Sequence, residues 1–363
     1  LAEFGELPYL VALLLGAMFT FISAPQLYVA TLGIHHIFQK PKAQLLWSKY
    51  TGLFSFIIAA GLTSAEYFTP QQFTVMAGQP FALIPEYLGF ANIGGLPLYS
   101  FFSFFAAMEI ASFFRTKKMS KLNIATIIVF IVANPFFKID NPEKNIEKLN
   151  LRMVQANISN FLKVDSEEGG YASVSEVLGR YSELSMKESE LGDLDLIIWP
   201  ETAYPFGVVT DKENLEGTEL PGVFKDISLL HDSDVFIGGY DTIRNNGDYY
   251  KSEYNTNFHV APNGTLKSLY HKHILIPFGE TLPFGPLNRY LAKHIENISF
   301  FSEGETWPMF ETRSGHRFIN TICYEILKPE FVRTYLNKHK SRPYAMVNLT
   351  NDSWYGATSE PEQ

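Results

Sequence analysis

The chain has 363 residues, a formal net charge of −9 and a single cysteine. That length fits two domains, or a membrane part followed by one domain. The acidic balance argues against a nucleic-acid binder, and one cysteine excludes an intramolecular disulfide framework while leaving the compartment open.

Long apolar runs crowd the first 138 residues, whereas the remainder carries the scattered charge of a soluble domain. Residues 7–38 are almost uncharged, with Pro25 in their middle, and suffice for one tilted or kinked membrane span but not two. Residues 45–65, with Lys49 near the start, 96–114, with Glu109 inside, and 122–137 are three further candidates. Each alone also reads as a buried core helix, but four in succession, separated by short loops, read as a transmembrane helical region. Lys40, Lys42 and Lys49 lie between the first two spans, and Arg115, Lys117, Lys118 and Lys121 between the last two. Residues 65–95 contain no Lys or Arg. Positive loops stay in the cytoplasm, so four spans put both basic loops inside and everything after Lys138 outside. The outer loop holds the apolar stretches Phe81–Pro85 and Tyr87–Leu88, which are expected to dip into the membrane interface.

Residues 139–148 form a polar linker containing Pro142, and the second domain runs over 149–363. Strands are expected at Leu151–Ile158, at Leu194–Trp199 leading into Pro200-Glu201, at Asp234–Tyr240, Asn257–Ala261 and Leu266–Tyr270, at Thr321–Ile326 and at Tyr344–Leu349. A helix with one apolar face is expected over Tyr171–Glu190. Strands alternating with helices indicate an α/β fold, and the Asn263-Gly264 turn makes part of the sheet antiparallel. Because the chain begins at Leu1 and stops at Gln363 just after a turn-like stretch, it reads as truncated at both ends.

Three stretches carry chemistry. Trp199-Pro200-Glu201-Thr202 sets an acid at the end of a very apolar strand, where sites form in α/β folds. Tyr270-His271-Lys272-His273-Ile274 sets Lys272 among aromatic and aliphatic neighbours, where a partly desolvated ammonium needs an anion. Cys323, in Phe318–Ile326, supplies the third. Taken alone, Glu201 is also a solvated acid opening a loop, Lys272 a surface lysine, and Cys323 a small buried hydrophobe. Together they supply what acyl transfer through a thioester needs. A carboxylate takes the thiol proton, an ammonium stabilises thiolate and oxyanion, and the thiol attacks a carbonyl. A serine hydrolase is disfavoured, because no Gly-x-Ser-x-Gly elbow is present. A metal site is disfavoured too: neither the His271/His273 pair nor His35-His36, which lies in an apolar span, has ligand spacing. No glycine-rich phosphate loop occurs.

These stretches resemble the carbon–nitrogen hydrolase (nitrilase) superfamily, and most closely its membrane branch, the apolipoprotein N-acyltransferases. The resemblance is carried by Ile198–Ala203, Pro277-Phe278-Gly279-Glu280, Ile322–Glu325 and Asn348–Gly356, in that family's order, and covers the chain from about Leu151 onward. It implies a nitrilase-like α-β-β-α sandwich preceded by a transmembrane helical region. It makes Glu201 the base, Lys272 the oxyanion cation and Cys323 the nucleophile, with Glu280 and Glu325 as supporting acids. It further implies a multi-pass protein of the bacterial inner membrane with a periplasmic catalytic domain. The acyl chain would pass from a glycerophospholipid, through a Cys323 thioester, to the α-amino group of a lipoprotein's diacylglyceryl cysteine. No metal or organic cofactor is implied. The family has more spans before the catalytic domain than the four counted here, and a last one after it. One alternative is a membrane-tethered amidase or nitrilase using the same triad on a small amide; another is a lipoprotein-binding module with a dead site, which an intact triad disfavours. The prolines, glycines and phenylalanines of Ile276–Pro286 suggest an apolar cover that limits water access to the thioester.

Overall fold

In this computed structural model the described residues are 25–69, 76–84, 87–137, 148–190, 192–211, 213–245, 248–277, 279–282 and 301–351, with positions 10, 13, 17, 71 and 288 besides. The chain divides into two compact units, Leu1–Ile146 and Glu147–Gln363.

The first unit is helical among its described residues: α1 (Pro25–Phe38), α2 (Pro41–Lys49), α3 (Thr51–Phe68), α4 (Ala91–Thr116) and α5 (Lys121–Ala133). By length and composition α3 and α4 suffice to cross a membrane, whereas α5 is shorter. Two of the four expected spans therefore stand as full-length apolar helices. Most of 7–38 lies outside the described residues, and its described part, α1, has 14 residues. The stretch expected over 45–65 is broken at Tyr50, whose φ of −125° and ψ of 46° end α2 and begin α3. Helix α4 kinks at Gly95, two residues before Pro97, whose missing N–H cannot continue the ladder. Between α3 and α4, Gln79–Leu83 forms a 3₁₀ turn, with Phe81 against Tyr99 and Leu83 exposed.

A polar clamp ties three of these helices together. The carboxylate of Glu109 in α4 is buried and accepts from the Ser120 N–H at 2.9 Å and from Asn123 Nδ2 at 2.7 Å. Asn123 Nδ2 also donates to the Gly52 carbonyl in α3 at 3.0 Å. Gly52 has to be a glycine for this approach, since a Cβ there would lie 2.7 Å from Ser120 Oγ.

The second unit is a four-layer α-β-β-α sandwich, the nitrilase-like arrangement. Its larger sheet has six strands: β1 (Leu151–Met153), β2 (Leu196–Ile198), β3 (Gly207–Thr210), β4 (Asp234–Asn245), β5 (Asp248–Val260) and β6 (Leu266–His271). The order is β1-β2-β4-β5-β6, and β3 continues along the edge of β4 where β2 stops. Pairing is parallel from β1 to β4 and antiparallel through β5 and β6, with Asn263-Gly264 in the last turn. The smaller sheet has β7 (Phe310–Glu311), β8 (Arg317–Ile322) and β9 (Ala345–Leu349), with β8 and β9 parallel.

Alternation along the strands builds the layers. Ile197 and Trp199 point to one side of β2, where they pack with Val177 and Tyr181 of α7 (Tyr171–Met186) and Phe224 and Ile227 of α8 (Gly222–His231). Leu196 and Ile198 point to the other, against Phe318 and Ile322 of the second sheet, which α9 (Pro329–Asn337) covers through Phe331 and Tyr335. A strand buried on both faces reads as an unbroken apolar run, as Leu-Ile-Ile-Trp does. Several expected strands have other bounds: β4 runs on past Tyr240 to Asn245, and β5 begins at Asp248 rather than Asn257. The strand expected over Leu151–Ile158 stops at Met153, and Asn157 has a φ of +50°. The stretch expected to be strand over Thr321–Ile326 leaves β8 at Ile322 and becomes a 3₁₀ turn, Cys323–Leu327.

Candidate active site

Glu201, Lys272 and Cys323 each sit where a strand has just ended. Pro200-Glu201-Thr202 caps β2 as a tight turn, in which Ala203 N donates to Pro200 O at 3.3 Å. This turn lies directly across β4: a Cβ at Gly238 would be 2.2 Å from Pro200 O and 2.7 Å from Glu201 Cα, so the approach requires glycine. Lys272 follows β6, and its backbone N–H donates to Asn255 O at 2.9 Å. Cys323 follows β8 with a φ of +55°, a left-handed conformation that costs a non-glycine residue about 1–3 kcal/mol. When the Asn348 amide is oriented to suit its neighbours, its nitrogen donates to the Cys323 and Thr321 carbonyls, each at 3.2 Å, which helps to hold that bend.

The polar groups converge. Lys272 Nζ, fully buried, lies 3.2 Å from Glu201 Oε1 and 2.9 Å from Glu280 Oε1. Asn255 Nδ2 bridges the same two oxygens at 2.8 and 3.0 Å. The remaining Glu201 oxygen accepts from Asn351 N at 3.1 Å, and that of Glu280 from Ile276 N at 2.9 Å. Two carboxylates thus share one ammonium and one amide, and all four of their oxygens are engaged. Burial pulls the Lys272 ammonium down, but the charges of Glu201, Glu280 and Cys323 outweigh it and raise its pKa, so it stays a cation. Burial pushes the Cys323 thiol up to about 12, and the Glu201 charge adds to this. Lys272, the Thr350 side chain and the Tyr324 N–H pull the other way. At neutral pH the site therefore holds a thiol and, beside it, a buried cation.

Glu280 joins this cluster through Lys272. Glu325 is buried and turns elsewhere. Its oxygens accept from the backbone N–H groups of Ile322, His273 and Ile274 and from the Tyr270 hydroxyl, at 2.7, 2.7, 3.0 and 2.8 Å. It ties the Cys323 turn to the Lys272 strand end. Burial lifts its carboxyl up to about 7, against the pull of those four donors. Asn255 was not singled out from the sequence. Asn255 and Asn257 take alternate positions of one strand and are both buried, where apolar residues are the rule. Among the described residues no His, Cys, Asp or Glu cluster has the form of a metal site. Phe278, residues 283–286 of the expected cover and Asp352–Gly356 of the last motif lie outside the described residues.

A family model for carbon–nitrogen hydrolases matches residues 150–363, and the chain belongs to that family. Within it, the chain is similar to curated proteins of the membrane branch. It is 27% identical over 259 residues to the apolipoprotein N-acyltransferase of Geobacter metallireducens, covering 71% of this chain and 46% of that protein. It is 33% identical over 218 residues to that of Bdellovibrio bacteriovorus, covering 58% and 38%. The chain spans about half the length of the curated relatives it matches. Among solved structures, a branch 10 nitrilase-superfamily protein of Saccharomyces cerevisiae aligns with a TM-score of 0.34 and 14% identity, over 57% of this chain and 67% of that one.

Proposed function

We propose that this chain carries the catalytic apparatus of an apolipoprotein N-acyltransferase, with a Glu201–Lys272–Cys323 triad. The observation that supports it most is the buried Lys272 ammonium shared between Glu201 and Glu280, at a site whose thiol rests protonated. In the first half-reaction Glu201 takes the Cys323 proton as the sulfur attacks a phospholipid ester carbonyl. Lys272 and the Tyr324 N–H stabilise the oxyanion. Collapse breaks the acyl–oxygen bond, and the departing lysophospholipid oxygen takes the proton from Glu201. In the second half-reaction the free α-amine of a diacylglyceryl cysteine attacks the thioester and loses a proton through Glu201. The C–S bond breaks, and the thiol re-forms beside an amide. Asn255 and Glu280 hold Lys272 and Glu201 in register throughout. The reaction takes place at a bacterial inner membrane, with residues 1–138 as the transmembrane region, 139–148 as linker and 149–363 on the periplasmic side. The Lys/Arg asymmetry of the loops supports that orientation.

The test is mass analysis of Cys323 after mixing with phospholipid, followed by removal of the donor. The expected result is an acyl adduct that is absent from Cys323→Ala and Glu201→Gln. It should persist in buffer and disappear on adding a lipopeptide with a free α-amine. Equally rapid loss in buffer alone would replace the transferase with a hydrolase acting through the same triad.

A further inference from the structure

A second buried lysine stands behind the base, and the reaction above does not use it. Lys163 lies in α6 (Asn160–Glu167). Its Nζ donates to the Thr202 carbonyl at 2.7 Å and to the Thr202 hydroxyl, and lies 3.2 Å from Glu167 Oε1. The Tyr240 hydroxyl donates to that same Glu167 oxygen at 2.6 Å. Burial lowers the lysine's pKa, while the charges of Glu167 and Glu201 offset part of that cost. Burial and then the Glu167 charge raise the Tyr240 phenol, so it remains a donor.

What this ammonium holds is unusual. Thr202 follows Glu201 directly and has a φ of +48°. A β-branched residue in the left-handed region is an outlier that persists only where its surroundings enforce it. Here both Thr202 oxygens are gripped by one buried cation, while Gly238 closes the turn from the strand side. We propose that Lys163 is a positioning residue for the reaction. By clamping Thr202 in its left-handed conformation, it keeps the Glu201 carboxylate aimed at Lys272 and Cys323. The inference rests on Glu201 acting as the base of the proposed acyl transfer. It adds a residue that touches neither substrate nor nucleophile.

The experiment measures the rate of Cys323 acylation by phospholipid, in the full chain in detergent, by mass against time. Wild type is run first, and its failure to acylate would count against the proposed function rather than against the clamp. Lys163→Met keeps the apolar stem and removes the donors. The rate constant is expected to fall about 30- to 100-fold, the scale of a misplaced catalytic group, with the apparent phospholipid KM changed by less than about threefold. Thr202→Gly introduced into Lys163→Met should recover about tenfold, because glycine adopts positive φ without steric cost. A helix anchor with no bearing on Glu201 would not respond to that second change. Acylation by Lys163→Met within threefold of wild type, a loss confined to KM, or a further loss on adding Thr202→Gly would each overturn the proposal. If Lys163→Met does not fold, Thr202→Val and Thr202→Gly decide. Valine keeps the strain and removes the hydroxyl grip, so it should be the slower of the two, and a faster valine variant refutes the clamp.

Discussion

Cys323 has to be both nucleophilic and quiet. Burial and the nearby Glu201 charge keep it a thiol at rest, and in the proposed reaction its conversion depends on proton transfer to Glu201. This makes a pH prediction with a definite sign. In Glu201→Gln, where base-assisted attack is removed, alkylation by iodoacetamide reports the thiolate fraction alone. Burial, the largest cause of the raised thiol, remains in this variant although the Glu201 charge is gone, so the rate should still climb steeply from about pH 7 to 9 without bending over, whereas an ordinary cysteine is half ionised near about 8.5. A plateau already reached below pH 8 would mean a resting thiolate–ammonium pair with Lys272 and would remove the need for a base. The residues of this site were legible from the sequence to different degrees. Glu201, Lys272 and Cys323 stand at strand ends beside apolar runs, and an acid or a lysine in such a place needs a reason. Asn255 carries no motif, and Lys163 sits in a short helix while the Thr202 it grips lies 39 residues away. Only packing in three dimensions reveals either.

At the scale of elements, the strands that bury both faces were readable because their apolar runs are continuous. The ends of strands were not. Whether Leu151–Ile158 stays extended past Met153, or β8 past Ile322, depends on neighbours that the local sequence does not specify. The positive φ at Asn157 and Cys323 comes from how the chain leaves the sheet. The crossing of the Glu201 turn over β4 belongs to this scale and yields a prediction. In Gly238→Ala the new methyl would meet Pro200 O, Glu201 Cα and Thr202 N at 2.2, 2.7 and 2.8 Å, all backbone atoms that cannot swing aside. Overpacking of this kind costs about 1–3 kcal/mol, and a base displaced by about 1 Å loses about 100-fold in rate. Gly239→Ala on the same strand is the control. Its methyl would approach Phe258 Cε2 at 3.3 Å and Tyr204 Cβ at 3.4 Å, side-chain atoms at far longer distances than the backbone atoms met at Gly238. Tm and the Cys323 acylation rate measured on both variants should separate them, with Gly238→Ala much the worse. Equal effects would mean that the turn does not depend on this contact.

For the molecule as a whole, orientation across the bilayer is the testable quantity. In a Cys323→Ala background, Lys117→Cys should resist a membrane-impermeant maleimide applied to intact spheroplasts, and Glu213→Cys, at an exposed position of the second unit, should react. Labelling of position 117 from outside would invert the topology. The Glu109 clamp bears on how such a protein comes to exist at all. Glu109 lies in the C-terminal half of α4, and an acid within an apolar helix is unwelcome in hydrocarbon until its oxygens are matched. The groups that match it, Ser120 N–H and the Asn123 amide, are translated only after α4 is complete, and the third party, Gly52, belongs to a helix made earlier. Helix α4 alone is therefore a poor candidate for release into lipid. The α4–α5 pair, meeting α3 as it leaves the insertion machinery, is a far better one. Were these helices to insert as spans, the clamp would couple the departure of α4 from the insertion machinery to the synthesis of α5.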